Sequence, residues 1–241
     1  MKPSGIAWAI SSKGFDPRPM QIDWIPFWLS LRVASIATLL SLAAGLALAY
    51  LFANVEFRGK SLLDALVTLP LVLPPTVLGY YLLVSLGRVS PIGKLYEVLF
   101  GGPLVFTWQA AVIASTVHAI PLLIRSIRAA LSSVEHSYER AARSLGASEW
   151  RVFWRISVPL VRRQVVAATV LAFARSLGDF GATLMLAGDI PHRTQTVSIA
   201  IYDAVEGGHT LTARLLVLAV SGLTIAIVYL SNRLEHRRGT V

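Results

Sequence analysis

The chain has 241 residues, of which 55% are hydrophobic and only 15% charged, and its formal net charge is +9. A soluble globule of this length would carry roughly 25% charge, so the composition points to several membrane spans. With no cysteine, disulfides, thiolate nucleophiles and cysteine-held metals are excluded, and the basic residues, which in a soluble protein would suggest nucleic acid, crowd beside apolar segments in the positive-inside pattern.

Residues 1–25 read as a loose extracytoplasmic tail, because their longest apolar run is too short for a signal-peptide core. A first span is expected over about 27–52, with Pro26 at a first helical position and Arg32 close enough to the end to reach the interface. Residues 54–60 form a short basic loop. A second span, about 62–86, contains LPLVLPPTVLG, and Pro70, Pro74, Pro75 and Gly79 must break or kink it. Freed backbone carbonyls are tolerated at membrane depth only against protein or a wet cavity. Pro74 and Pro75 are therefore candidates to line a path; a purely structural kink is the other reading.

Residues 88–103 read as a loop rich in glycine and proline. Its GRVSPIGK stretch has the wrong glycine spacing and no Ser/Thr after the lysine, so it is no phosphate loop, and no ATP site of the chain's own is visible. A third span is expected over about 104–127. His118 lies inside it and reads as a hydrogen-bonded packing residue, although an intramembrane histidine is also a functional candidate. A fourth span covers about 165–187, a fifth about 211–230, and residues 232–241 form a basic tail. The 54–60 loop, the 125–163 segment and the tail together hold thirteen Lys/Arg, against six on the other side. That asymmetry puts the C-terminus inside and, with five spans, the N-terminus outside.

Between the third and fourth spans lies a polar loop, 132–160, with ERAARSLGASEWRVFWRISVP from Glu139 to Pro159. Good helix formers end at Gly146, which suits a left-handed helix stop, and Ser148 can cap a second helix. Trp150, Phe153 and Trp154 share one face at i, i+3, i+4 and suit the headgroup boundary. The small pair Ala141–Ala142 beside a fixed break allows close docking into a partner's cleft. In the fourth span Arg175 and Asp179, four apart, are expected on one helix face. Either they serve an anion's path, with Ser176 beside them, or they pair to hold the span in the bundle. Ala174, Gly178 and Ala182 form a small-residue line suited to a helix contact across a homodimer axis.

The spacing Ala141-Ala142-x3-Gly146-x9-Ile156-x-Val158-Pro159 resembles the "EAA" loop of permease subunits of ATP-binding-cassette importers, in which a coupling helix docks on a cytoplasmic ATPase. The family's glutamate position holds Arg140 here, with Glu139 one residue early. VFTWQ, PLLIRSIRAAL and LAFARSLGDFGATLMLAGDIPHRTQT, together with the proline-rich second span, are similar to the molybdate branch. The resemblance implies an all-α polytopic membrane bundle of the type I importer fold, five spans per subunit, in the cytoplasmic membrane. It also implies a homodimer, an ATPase dimer bound through Glu139, Arg140, Ala141, Ala142, Gly146, Ile156 and Pro159, and an extracytoplasmic molybdate-binding protein. That protein would land on outer-loop residues such as Asp189, His192, Arg193, Asp203 and Glu206. No catalytic residue, metal or cofactor is implied for this chain. Tungstate and sulfate remain rival cargoes. An intramembrane enzyme would need a clustered nucleophile, base or metal set, and a membrane scaffold would need neither the proline break nor Arg175.

Overall fold

The computed structural model describes residues 23–236; the expected N-terminal tail falls almost wholly outside them, as do residues 237–241. The described chain is all-helical. α1 (Ile25–Asn54), α5 (Trp108–Ser132) and α9 (Arg162–Leu177) pack together as the centre of the bundle. Their contact surfaces are built from small residues. Ala34, Ala37, Ala49, Ala110, Ala111, Ala114, Ala119 and Ala172 are fully buried, as suits a membrane bundle, where close van der Waals packing replaces the hydrophobic drive between helices. Ser41 donates to the Thr116 carbonyl at 3.1 Å, and the Arg32 guanidinium lies 4.0 Å over the Trp108 ring instead of standing unpaired.

Among the described residues, three helical stretches are long and apolar enough to cross a membrane, Ile25–Ala53, Trp108–Ser132 and Thr210–Tyr229, and two bent helix pairs bring the number to as many as five. The second predicted span is one of those pairs. It consists of α2 (Lys60–Val72) and α3 (Pro75–Leu86), bent by 119° at Leu73–Pro74. Pro74 and Pro75 remove donors and clash with a continued helix, and Pro70 is carried within α2. The loop reading of 88–103 is corrected. Ser90 accepts from the Gly93 N–H, Pro91 takes the first turn, and α4 (Pro91–Phe100) runs to Gly101.

The fourth predicted span also needs correction. α9 starts earlier, at Arg162, and stops at Leu177; α10 (Gly181–Ala187) is a separate helix. A glycine, an aspartate and a second glycine within four residues weaken the helix there, and the Asp179 side chain is bonded elsewhere. Arg175 and Asp179 are therefore not on one face of a continuous helix. The expected line Ala174–Gly178–Ala182 is likewise interrupted: Ala182 is buried on α10 while Gly178 is exposed at the break.

The two breaks meet. A Cβ on Gly181 would lie 2.9 Å from Pro75 Cβ, and one on Gly79 would lie 2.6 Å from Met185 Cβ, so α3 and α10 touch through glycine. Gly79→Ala is expected to destabilise the fold by about 1–3 kcal/mol, the usual cost of overpacking. Thermal unfolding of the purified variant against the native chain checks this; an unchanged midpoint contradicts it.

The stretch after α10, expected from its sequence to be an outer loop, contains α11 (Val197–Glu206). Its first N–H is accepted by Ser30 Oγ on α1 at 2.7 Å. The last helix, α12 (Thr210–His236), runs past the predicted 211–230 span into the expected tail. It packs on α11 and α9, and most of its apolar surface is uncovered.

Candidate functional site

Two polar constructions stand out in this apolar frame. The first is the segment after α5. α6 (His136–Ser144) ends in a doubly bonded turn: Gly146 has φ +84°, its N–H donates to the Arg143 carbonyl at 2.9 Å, and the Ala147 N–H donates to the Ala142 carbonyl at 3.1 Å. Ser148 stands at the start of α7 (Glu149–Val152) with its backbone extended, but its side chain makes no capping bond. α7 runs into a π-helical turn, Phe153–Ser157, and then α8 (Val158–Leu160). Pro159 accounts for the wide turn, since it has no N–H to give to the Arg155 carbonyl and would clash with it in a regular helix.

Side chains lock this unit. The Arg143 guanidinium spans the Gly146 turn, with Nε donating to one Glu149 oxygen at 2.7 Å and Nη2 to the other at 3.0 Å. That hydrogen bond, more than the ion pairing, holds the Glu149 carboxyl below the usual carboxylate range and pushes Arg143 up. The tie is present above the ordinary carboxylate range and is lost as pH falls through the lowered value. Glu139, one residue ahead of the motif's usual glutamate, accepts from Ser157 Oγ at 2.7 Å and lies 3.6 Å from Arg143. It fastens α6 to the π-helical turn, while Arg140 on the neighbouring face is exposed.

The aromatic residues divide. Phe153 is buried against α1, where Tyr50 meets it edge-on at 4.9 Å and Trp150 at 5.3 Å; Trp150 and Trp154 touch each other at 5.5 Å and keep outward faces. The single shared face expected from spacing is thus half core and half surface. Beneath the unit lies a cleft of about 430 Å³ lined by Phe52, Arg128, Glu139, Arg143, Phe153 and Ser157, among others. On the outside, Ala141, Ser144 and Gly146 are exposed, Ala142 is half-buried, Ile156 is half-buried and Pro159 is exposed. Leu145, at the tip, is 88% exposed. Nothing in the sequence marks it, since a leucine at a helix end looks like a core residue; its exposure amid polar neighbours makes it an apolar knob.

The second construction is buried in the bundle. His118 on α5 is 5% exposed and Asp179, in the α9–α10 break, 4%. His118 Nδ1 lies 3.1 Å from Asp179 Oδ1, and Arg175 Nη2 approaches both ring nitrogens, Nε2 at 2.6 Å and Nδ1 at 3.4 Å. Thr183 Oγ1 donates to the second Asp179 oxygen at 2.5 Å, and Ser115 Oγ approaches it at 3.5 Å. The expected direct Arg175–Asp179 pair is replaced by an imidazole inserted between them. His118, read as a packing residue, is the centre of the site. Ser176, beside Arg175, is a buried hydroxyl without a hydrogen-bond partner among the described residues.

Long apolar helices, two helix breaks in contact and a locked polar loop outside the bundle define a polytopic membrane permease. The chain belongs to the family of binding-protein-dependent transport system inner membrane components, whose model it matches over residues 41–238. It is 45% identical over 208 residues to the molybdenum transport system permease protein ModB of Escherichia coli K12, covering 86% of this chain and 91% of that one. The sulfate transport system permease protein CysT of the same bacterium is more distant, at 28% over 232 residues, covering 91% and 83%. Among solved structures it shares the type I ATP-binding-cassette importer fold, as in a bacterial alginate transporter bound to its periplasmic protein, with a TM-score of 0.74 at 16% identity, covering 95% of this chain and 85% of that one.

Proposed function

We propose that the chain is the permease subunit of an ATP-driven importer for molybdate, and for the nearly isosteric tungstate, in the cytoplasmic membrane. Kinship with the molybdenum permease over nearly its full length carries the cargo. The 139–159 unit carries the coupling. Its outward surface offers Ala141, Ala142 and Gly146, small enough for a close fit, around the Leu145 knob. Glu139, Arg143 and Glu149 hold it rigid, so that force applied at the tip reaches α5 and α9 without being lost in a soft hinge. Ile156 and Pro159 shape the return into α9. Two copies of the chain would enclose the path, an ATPase dimer would grip the two loops from the cytoplasm, and an outer binding protein would deliver the anion. The uncovered apolar surface of α12 then faces lipid.

The path itself runs, on this proposal, past the touching breaks at Pro74–Pro75 and Gly178–Phe180. Discontinuous helices at membrane depth offer backbone polar groups where a continuous one offers none. Arg175 supplies positive potential, Asp179 tempers it, and Ser176 adds a hydroxyl. The excess of arginine on the loop side supports an N-terminus outside and a C-terminus inside.

The more distant kinship with the sulfate permease sustains a second reading, in which the cargo is sulfate. Uptake of radiolabelled molybdate in the presence of excess competitor separates the two. Tungstate is expected to block it and sulfate to leave it unchanged; block by sulfate and indifference to tungstate would move the chain to the sulfate branch.

A further inference from the structure

We infer that α4 (Pro91–Phe100) lies in the headgroup boundary of the bilayer, with lipid as the partner of its uncovered face. The inference goes beyond the transport reading and does not depend on the cargo. It starts from how the helix is turned. A Cβ on Gly93 would lie 2.1 Å from the Gly87 carbonyl oxygen, so α4 rests on the end of α3 through that glycine, which fixes its rotation. Tyr96 and Glu97 stand beside Gly93 on the inner side, and Glu97 accepts from Arg88 Nη2 at 2.7 Å. The opposite arc holds Ile92, Leu95, Val98 and Leu99, each more than half exposed. The helix is thus amphipathic with its apolar face turned away from the protein. Water does not hold a helix that way round; an apolar medium does.

Its place in the bundle names the medium. A short link from Gly101 joins α4 to Trp108, the first residue of α5. That is the end of the bundle opposite the 139–159 unit, because α5 runs from Trp108 to Ser132 and the unit follows. Arg32, over the Trp108 ring, brings the start of α1 to the same level. Trp24 and Trp28 are exposed there, as in the aromatic belt of a membrane–water interface. The apolar face is also continuous with the flank of α3. Val84 and Ser85 on one helix and Pro91 and Ile92 on the other line a single open hollow, with Val89 between them. Tyr80, Tyr81 and Val84 extend that exposed surface along α3, half of the second span.

Two other occupants fit less well. A second copy meeting this face about a two-fold axis would set Lys94 against a face with no carboxylate to receive it, since Glu97 is turned inward to Arg88. A soluble protein that binds and leaves would return the whole face to water at each release, at a cost proportional to its apolar area. Lipid phosphate suits Lys94, which stands at the edge of the apolar arc and makes no ion pair among the described residues. Held in this way, α4 fixes the far end of α3, whose near end touches α10 at Pro75.

The test places a nitroxide on the face. The chain has no cysteine, so Leu95→Cys, Leu99→Cys and Lys94→Cys each mark one point of it, and the native complex treated alike supplies the blank for any cysteine of the ATPase. All three side chains are exposed, so the fold has little at stake. Each labelled permease is measured in its complex with the ATPase in phospholipid vesicles. The readout is collision with oxygen, which concentrates in lipid, against collision with a nickel chelate, which stays in water. At Leu95 and Leu99 the oxygen rate is expected to exceed the nickel rate, and at Lys94 the ratio is expected to fall toward its value in water. A nickel rate above the oxygen rate at Leu95 and Leu99 would put the face in water and overturn the inference. Low collision with both reagents would mark a face covered by protein and overturn it as well, with spin–spin broadening between labels identifying a second copy. The same ratios are expected after the binding protein is added; a fall in both rates on its addition would give the face to that protein instead of lipid.

Discussion

Replacing Ala142 with glutamate is expected to abolish molybdate uptake while leaving the permease folded. The position is half-buried on the outward side of α6, one turn from the Leu145 tip, and its backbone carbonyl, not its side chain, serves the helix-ending turn. Glutamate is a good helix former, so the local structure tolerates it to within about 0.5 kcal/mol. Its only internal penalty is repulsion from Glu139 one turn away, about 0.3 kcal/mol. A partner cleft shaped to a methyl group has no room for a carboxylate and no charge to match it, and a central contact of this kind is worth about 2–4 kcal/mol, or at least thirtyfold in coupling. Uptake and cargo-stimulated ATP hydrolysis should fall together, with thermal stability retained. A variant that still transports at the native rate would place the docking surface elsewhere.

The second large effect is on stability. Asp179→Leu keeps the branched outline at a larger volume and removes the carboxylate, leaving the buried His118 Nδ1–H and Thr183 hydroxyl without an acceptor and Arg175 without its counter-charge. Breaking a buried charge network from one side costs about 3–5 kcal/mol, far more than the network's net worth. A fall of roughly 10 °C in the unfolding midpoint is expected at this chain length. Asp179→Asn, which keeps an acceptor oxygen for one donor, should lose less than half as much. Midpoints of the purified variants decide it. If Asp179→Leu unfolds at the native temperature, the triad does not support the bundle and its members are held by the surrounding packing alone.

Much of this molecule was legible in the residues, for identifiable reasons. Long apolar runs mark helices α1, α5 and α12 because nothing else accommodates so many apolar side chains in a row. The 139–159 unit was legible because its turn needs a glycine at one fixed place, and Gly146 stands there. What escaped was set by contacts between distant residues. His118 is 57 residues from Arg175 and 61 from Asp179, and no periodicity connects them. The break after Leu177 is written as Gly-Asp-Phe-Gly inside apolar text, so the helical pattern reads straight through it; only the capture of Asp179 by His118 and Thr183 shows why the helix gives way. α4 was hidden by its own punctuation: the Ser90-Pro91 start and the Gly101 stop read as loop when they are the two ends of a helix. Glu139 looked displaced from its motif position, yet the π-helical turn brings Ser157 to it and gives it a partner.

The central claim is that ATP hydrolysis on a partner ATPase, transmitted through the 139–159 loop, drives an oxyanion through this bundle. Accumulation of radiolabelled molybdate in vesicles holding the native chain, its ATPase and its binding protein tests that claim most directly, with hydrolysable ATP compared against a non-hydrolysable analogue. Accumulation only with hydrolysable ATP is the result expected. Accumulation that is the same with either nucleotide would mean the anion moves without force from the loop, and would contradict the claim.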